Sequence, residues 1–469
     1  RLSHHPLCMS LPHPLAHNHS RKPTAYNCKP TRKHCALPVS GSQLAYLRPG
    51  KAKRMVIPND SDAEKLGSQA AVASTSDALM LPHEPLMGQD KWLGGALGRD
   101  GCIYGVPGHA KHVVRLNPKN GEVTLVGPHF DGKYKWLRGD SAPTGTIYGI
   151  PCHADRVLAI TPSDGKSETL VETIGDALPG KWKWHGGVYS PHDKCVYAIP
   201  QASDTVLKID TVTNEVSTIG GPFEGVSPTG RHKWYGGLLA GDGSIIGVPT
   251  CANSVLRIDP VSQEVSTFGE LDCGGWKWHG GVVGPDGCVY GIPFNSDAVL
   301  KIDARERVVD YIPIASYTCN HREDGKYKYL GGVVGPDDRI YAIPCDAERV
   351  LRIDPSKNEA VEIGPAIRGA QNPASVSDNG LVTLNPGPLD CNKWQNGFVG
   401  KDGNLYFIPL KAESVLRVNP WTEEMDLIGG PFPGFEKWEG GVMDRDGNMF
   451  CIPLNAKRFL RITPTTAAS

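Results

Sequence analysis

The sequence has no stretch approaching the roughly 18 consecutive apolar residues that a membrane helix needs, so no span is expected. It has no Walker loop, no GxSxG elbow, no HExxH and no dinucleotide fingerprint. Those absences remove the commonest nucleotide-dependent, serine-hydrolase and zinc-protease readings. Its 13 cysteines include no CxxC pair. Instead Cys102, Cys195 and Cys288 recur at one repeat position, and Cys152, Cys251 and Cys345 near another. That is the distribution of small buried apolar residues, not of a disulfide framework. A reduced, intracellular and cytoplasmic protein is the expectation.

Acid is missing from one end. Residues 1–54 contain no Asp or Glu, so all 50 acidic residues lie in 55–469. The remainder is therefore net acidic, unlike the basic surface of a nucleic-acid binder, and no nucleic-acid partner is expected. The first 54 residues hold six His and many Pro, with no alternating pattern and no apolar core of signal-peptide type. Three readings fit them: a plastid transit peptide, a disordered tail, or leader sequence translated ahead of Met55. We expect 1–85 to be a disordered or non-native segment and 86–469 to be one folded domain.

From Lys91 onward the chain aligns with itself. The clearest copy runs Trp276-Lys277-Trp278-His279-Gly280-Gly281, then Asp286-Gly287, then Tyr290-Gly291-Ile292-Pro293, then Val299-Leu300-Lys301-Ile302-Asp303. The apolar-Pro landmark recurs at Pro107, Pro151, Pro200, Pro249, Pro293, Pro344, Pro409 and Pro453. Repeats of about 40–50 residues are the range of propeller blades. Asp-Gly is hairpin chemistry. The alternation of Leu300 and Ile302 about Lys301, repeated at Leu351, Arg352 and Ile353, has the period of a strand. Pro355 and Pro420 stop strands, because proline donates nothing to a ladder. The expected fold is all-β: a single β-propeller of about eight four-stranded blades, with seven as the alternative count. The last copy lacks a fourth strand, and Ala78–Leu81 is the candidate to complete it and lock the ring. The longest interval holds an insertion near 366–390, expected as a long loop on one rim.

The Tyr-small-apolar-Pro element followed by Val-Leu-Arg/Lys-Ile-Asp-Pro is similar to the repeats of YVTN-type, NHL-type and virginiamycin-B-lyase-like propellers. The Lys-Trp-x-Gly-Gly opening resembles repeat proteins of marine protists. The resemblance covers 91–464 and implies the fold. It carries over no catalytic set, since one propeller architecture hosts scaffolds, hydrolases and lyases alike.

Candidate site residues fall in two places. Every copy places a Lys before an aromatic: Lys91, Lys135, Lys183, Lys233, Lys277, Lys328, Lys393 and Lys437. Such a residue either bridges blades, its amine on a carboxylate and its aromatic packed between sheets, or forms a ring that attracts a polyanion. The residue before Gly-Gly varies: Leu93, Leu137, His185, Tyr235, His279, Leu330, Gln395 and Glu439. Variation at one site suits a ligand surface, and His185, His279 and Glu439 could act as an acid/base or metal group. After the Pro landmark, His109, Cys152 and His153 are weak metal candidates. No cofactor is required by the sequence, although a divalent ion would suit the second of the functions expected below. Three functions follow: a monomeric, non-enzymatic scaffold binding protein or peptide on its top face; a metal-dependent hydrolase or lyase at the channel; or a polyanion sensor using the lysines.

Overall fold

The computed structural model describes residues 77–315, 325–367, 373–376, 382–384 and 391–464. Among these there is no helix, and none long and apolar enough to cross a membrane. Eight four-stranded antiparallel sheets follow one another along the chain. In the first, Trp92–Leu97, Ile103–Pro107, Val113–Leu116 and Val123–Val126 pair in sequence order. The first strands of successive sheets pack on one another, from Trp92–Leu97 through Trp136–Ser141 and so on to Trp438–Met443, which returns to Trp92–Leu97. The sheets thus close into a ring of eight blades, with the first strands around the central channel, and the seven-blade alternative falls away.

The eighth blade is completed from the other end of the chain. Asp77–Met80 runs antiparallel to Leu460–Thr463, with Ala78 opposite Ile462. Ala78 is buried and packs with Phe432, Trp438 and Leu460. The propeller therefore takes in residues on the amino side of the expected boundary at 86. The expectations for 1–76 lie outside the described residues. The insertion after blade 6 is more than a loop, since Pro373–Val376 and Val382–Leu384 pair as a two-stranded sheet.

Within a blade the local chemistry repeats. The Asp of the hairpin between the first two strands accepts from a tyrosine four residues on: Tyr104 to Asp100 at 2.9 Å, Tyr290 to Asp286 at 2.7 Å, Tyr406 to Asp402 at 2.6 Å. The cation at the centre of the third strand closes on the same Asp, as in Arg115–Asp100 and Lys301–Asp286. Each first-strand Trp is buried between blades and donates its indole N–H to a carbonyl at the start of its own third strand, as Trp136 does to Arg156 O at 2.8 Å. Burying an indole without an acceptor would leave a polar group unsatisfied, and this bond removes that cost.

The lysines are the joints between blades. Lys135 Nζ donates to Gly108 O, Ala110 O and Gly132 O, two of them on the preceding blade, at 2.8, 2.8 and 3.1 Å. Lys91 makes the same three bonds to Leu454 O, Ala456 O and Gly88 O, and Lys183 to Cys152 O, Ala154 O and Gly180 O. The backbone joins in: Lys135 N donates to Gly108 O, and Lys135 O accepts from Cys152 N and Ala154 N. All but Lys277, which is half-buried, are no more than 4% exposed. The bridging role holds, but its main partners are backbone carbonyls; carboxylates join them at Lys233 (Asp204, 3.6 Å) and Lys328 (Asp297, 3.1 Å). A ring of lysines offered to a polyanion is not what the fold presents, because the amines are consumed inside the joints.

Two outcomes follow. Lys135→Met keeps the stem and leaves three carbonyls without their donor, so it is expected to cost about 2–4 kcal/mol, measured as a lower urea midpoint. Removing residues 1–80 uncovers the Leu460–Thr463 edge; the shortened chain is expected to melt at lower temperature and to self-associate in ultracentrifugation, as open sheet edges do.

Candidate binding face and channel

Three positions of each copy build the site: the residue before the Lys, the residue after the blade aromatic, and the residue after that. The first lies on the face formed by the loops that enter the first strands. In all eight blades it has a left-handed backbone: Asp90, Tyr134, Trp182, His232, Trp276, Tyr327, Asn392 and Glu436, with φ from 46° to 59°. For bulky side chains this conformation is strained and costs on the order of 1–3 kcal/mol each. The neighbouring loop sustains it. The carbonyl of this residue accepts from the second residue after the Pro landmark, as Tyr134 O does from His153 N and Trp276 O from Asn295 N. In three joints that residue's side chain also holds the next blade's amide: Asn455 Oδ1 on Asp90 N, Asn295 Oδ1 on Tyr327 N, Asp346 Oδ1 on Asn392 N.

The crown so formed has two halves. Blades 2 to 6 place Tyr134, Trp182, His232, Trp276 and Tyr327 on the face, all partly exposed. Four of them touch in pairs, Tyr134–Trp182 at 4.9 Å and His232–Trp276 at 4.7 Å, while Tyr327 stands edge-on to Phe294 at 4.9 Å. The residue preceding each is an exposed base in four of these blades: Lys133, Lys181, Arg231 and Lys326. Blades 7, 8 and 1 instead carry Asn392, Glu436 and Asp90. The exposed positive charge therefore lies two residues ahead of the repeat lysines.

The second position fills the channel mouth. All eight residues are buried, 1% to 8% exposed. Leu93 and Leu137 join Cys152, Leu410 and Leu454 in one apolar cluster, and Leu330 joins Phe294 and Cys345 in another. Tyr235 lies between the two histidines: its ring is 3.6 Å from that of His185, stacked, and 4.2 Å from that of His279. Burial, then Arg138, holds the His279 imidazole down to about 3, and the same causes push His185 well below the usual range. Both are neutral near pH 7. Burial raises the Glu439 carboxyl to about 7. Glu439 Oε2 and His279 Nε2 are buried with no hydrogen-bond partner among the described residues. Gln395 occupies the same layer, also buried.

The metal candidates do not assemble. Tyr134 stands between His109 and His153, 4.3 Å from one ring and 5.7 Å from the other, while Cys152 is turned into the leucine cluster. Burial, then the neighbouring lysines, holds both of these histidines down to about 4. His185 and His279 are likewise parted by Tyr235. Among the described residues no three His, Cys, Asp or Glu gather as metal donors.

The third position was not singled out from the sequence. It is Gly94, Gly186, Gly236, Gly280, Gly331 and Gly440 in six blades, but Arg138 in blade 2 and Asn396 in blade 7. All but Gly440 have positive φ, 60° at Arg138 and 57° at Asn396, where the first strand bulges against the second. A Cβ added at Gly236 or Gly280 would meet nothing within 4 Å, so this layer is open lumen. The two side chains that enter it are Arg138, whose Cδ lies 3.7 Å from a Cβ built on Gly186, and Asn396, which donates to Glu439 O at 2.5 Å. The visible signal was the pair of departures from Gly-Gly.

No protein-family model and no curated protein sequence matches the chain. Among solved structures, a streptogramin B lyase aligns with 84% of this chain and 99% of its own at TM-score 0.50 and 12% identity. A virginiamycin B lyase from Staphylococcus aureus aligns with 83% and 99% at TM-score 0.49 and 13% identity.

The pH dependence of the mouth is testable. The unfolded Glu439 ionises above about 4.5, whereas the folded carboxyl keeps its proton to about 7, so its contribution to stability is lost as pH rises through that window. Glu439→Gln is therefore expected to gain stability relative to the parent between pH 4 and pH 8, read as the difference in urea midpoints. His279 acts oppositely, its contribution fading as pH falls from 6.5 toward 3. The ring closes on itself as an eight-bladed β-propeller, similar in fold to a streptogramin B lyase among solved structures.

Proposed function

We propose that this protein is a binding module that takes a protein or peptide segment on its crown face. The observation that carries the reading is the run of partly exposed rings, Tyr134, Trp182, His232, Trp276 and Tyr327, held on left-handed backbone. Blades 7, 8 and 1 hold the same backbone with Asn392, Glu436 and Asp90, so five partly exposed rings at this position are more than closure of the ring requires. Rigid aromatics give large contact area at small entropic cost, and a propeller face loses little ordering entropy on docking. The interleaved Lys133, Lys181, Arg231 and Lys326 favour a segment carrying both acidic and apolar residues.

The enzyme reading, hydrolase or lyase, draws its support from the neutral His279 and protonated Glu439 at the channel mouth and from the streptogramin B lyase likeness in fold. It needs a substrate that reaches that mouth through the crown. The polyanion reading moves from the buried lysines to the exposed bases.

Selection of peptides from a random library against the intact protein is expected to yield acidic, apolar-rich sequences. Trp276→Ala is expected to weaken their binding by about tenfold or more, the size of a moderate interface hot spot, with the melting temperature little changed. Equal binding by Trp276→Ala and by Trp182→Ala would remove the crown from the ligand surface.

A further inference from the structure

We propose that the open lumen between the first strands is a binding site for a monocarboxylate, anchored by the Arg138 guanidinium in the layer next to His279 and Glu439. The inference is independent of the crown reading and rests on different residues.

Arg138 stands where six blades have glycine, on a backbone that glycine adopts freely and arginine does not. Its side chain reaches toward the neighbouring blade. From blade 2 it passes Gly186 of blade 3 and lies within electrostatic reach of His185, His279 and Glu439, on blades 3, 5 and 8. Among the described residues nothing accepts a hydrogen bond from it and no carboxylate pairs with it, yet it is partly exposed, so solvent reaches it. An arginine kept at a strained position, satisfied by nothing in its own fold, is poised for an external acceptor.

The charge balance selects the ligand. Among the eight described residues of this layer Arg138 is the one cation; the two histidines of the adjoining layer are neutral, and Asp90 and Glu436 add negative potential from the crown. A planar monoanion matches the guanidinium fork and leaves no excess charge, whereas a dianionic phosphate does. Glu439 Oε2 and His279 Nε2 are orphaned and buried in the adjoining layer, and a turn of either side chain toward the lumen would add a second polar contact to the one Arg138 supplies. Tyr235, stacked on His185 and tilted against His279, makes the buried layer next to the site aromatic, so an apolar or aromatic body suits the carrier of the carboxylate.

The test is calorimetric titration of the whole protein with benzoate, benzamide and inorganic phosphate. Benzoate is expected to bind saturably, with Kd on the order of 1 mM for so small a ligand, and benzamide not to bind. Arg138→Gly restores the residue of the other blades, so it is expected to melt at the same or a higher temperature while losing at least about tenfold in benzoate affinity. Short peptides ending in a free or an amidated carboxyl show whether the anion belongs to a chain terminus or to a small acid; either source carries the assignment. Equal affinity of benzoate for Arg138→Gly, equal binding of benzamide, or preference for phosphate would overturn it, and none of these bears on the Trp276→Ala result.

Discussion

The ring depends on a buried ammonium held by backbone. At the joints a lysine spans from its own blade to the carbonyls that follow the Pro landmark of the blade before, and its amide and carbonyl knit the same two loops. A charge this deep is costly unless all its protons are used. Three N–H groups meeting three carbonyls use them. A compact, tetrahedral donor on a long apolar stem suits this geometry, and the flat fork of arginine does not. Burial still pulls these amines down, Lys437 to about 7 and Lys91 and Lys135 to about 8. The joint thus trades solvation for connection.

Because every joint is built alike, differences between blades are free to serve something else. The residue before the lysine is left-handed in every blade but changes from aromatic in blades 2–6 to acid or amide in blades 7, 8 and 1. The mouth layer changes from leucine to histidine, tyrosine, glutamine and glutamate. The lumen layer is glycine except at Arg138 and Asn396. A uniform frame with three variable rings is the arrangement in which a ligand surface can be asymmetric without disturbing closure.

Much of the architecture was legible in the residues, because strand period, Asp-Gly hairpins and the Pro landmark are local signals. The copy count, the third strands and the closing strand near Ala78 could all be read that way. What escaped depends on three-dimensional placement. Lys135 reads identically whether it faces solvent or a joint, and only the loops it reaches decide. Tyr134 and Trp276 are not residue types that announce positive φ, so the crown was invisible. His109 and His153 share a repeat position, which suggested convergence, but repetition around a ring sets equivalent residues apart and Tyr134 occupies the gap. Arg138 was readable as an exception to Gly-Gly, yet its meaning required knowing that the glycines border open space.

The eighth sheet joins Asp77–Met80 to Leu460–Thr463, the two extremities of the described chain. Seven of the eight blades draw all four strands from one consecutive stretch, and the eighth is stitched from two distant ones. Asp77 and Thr463 are thereby held as next neighbours, so parting that one ladder unbuckles the circle while the other seven sheets keep every strand.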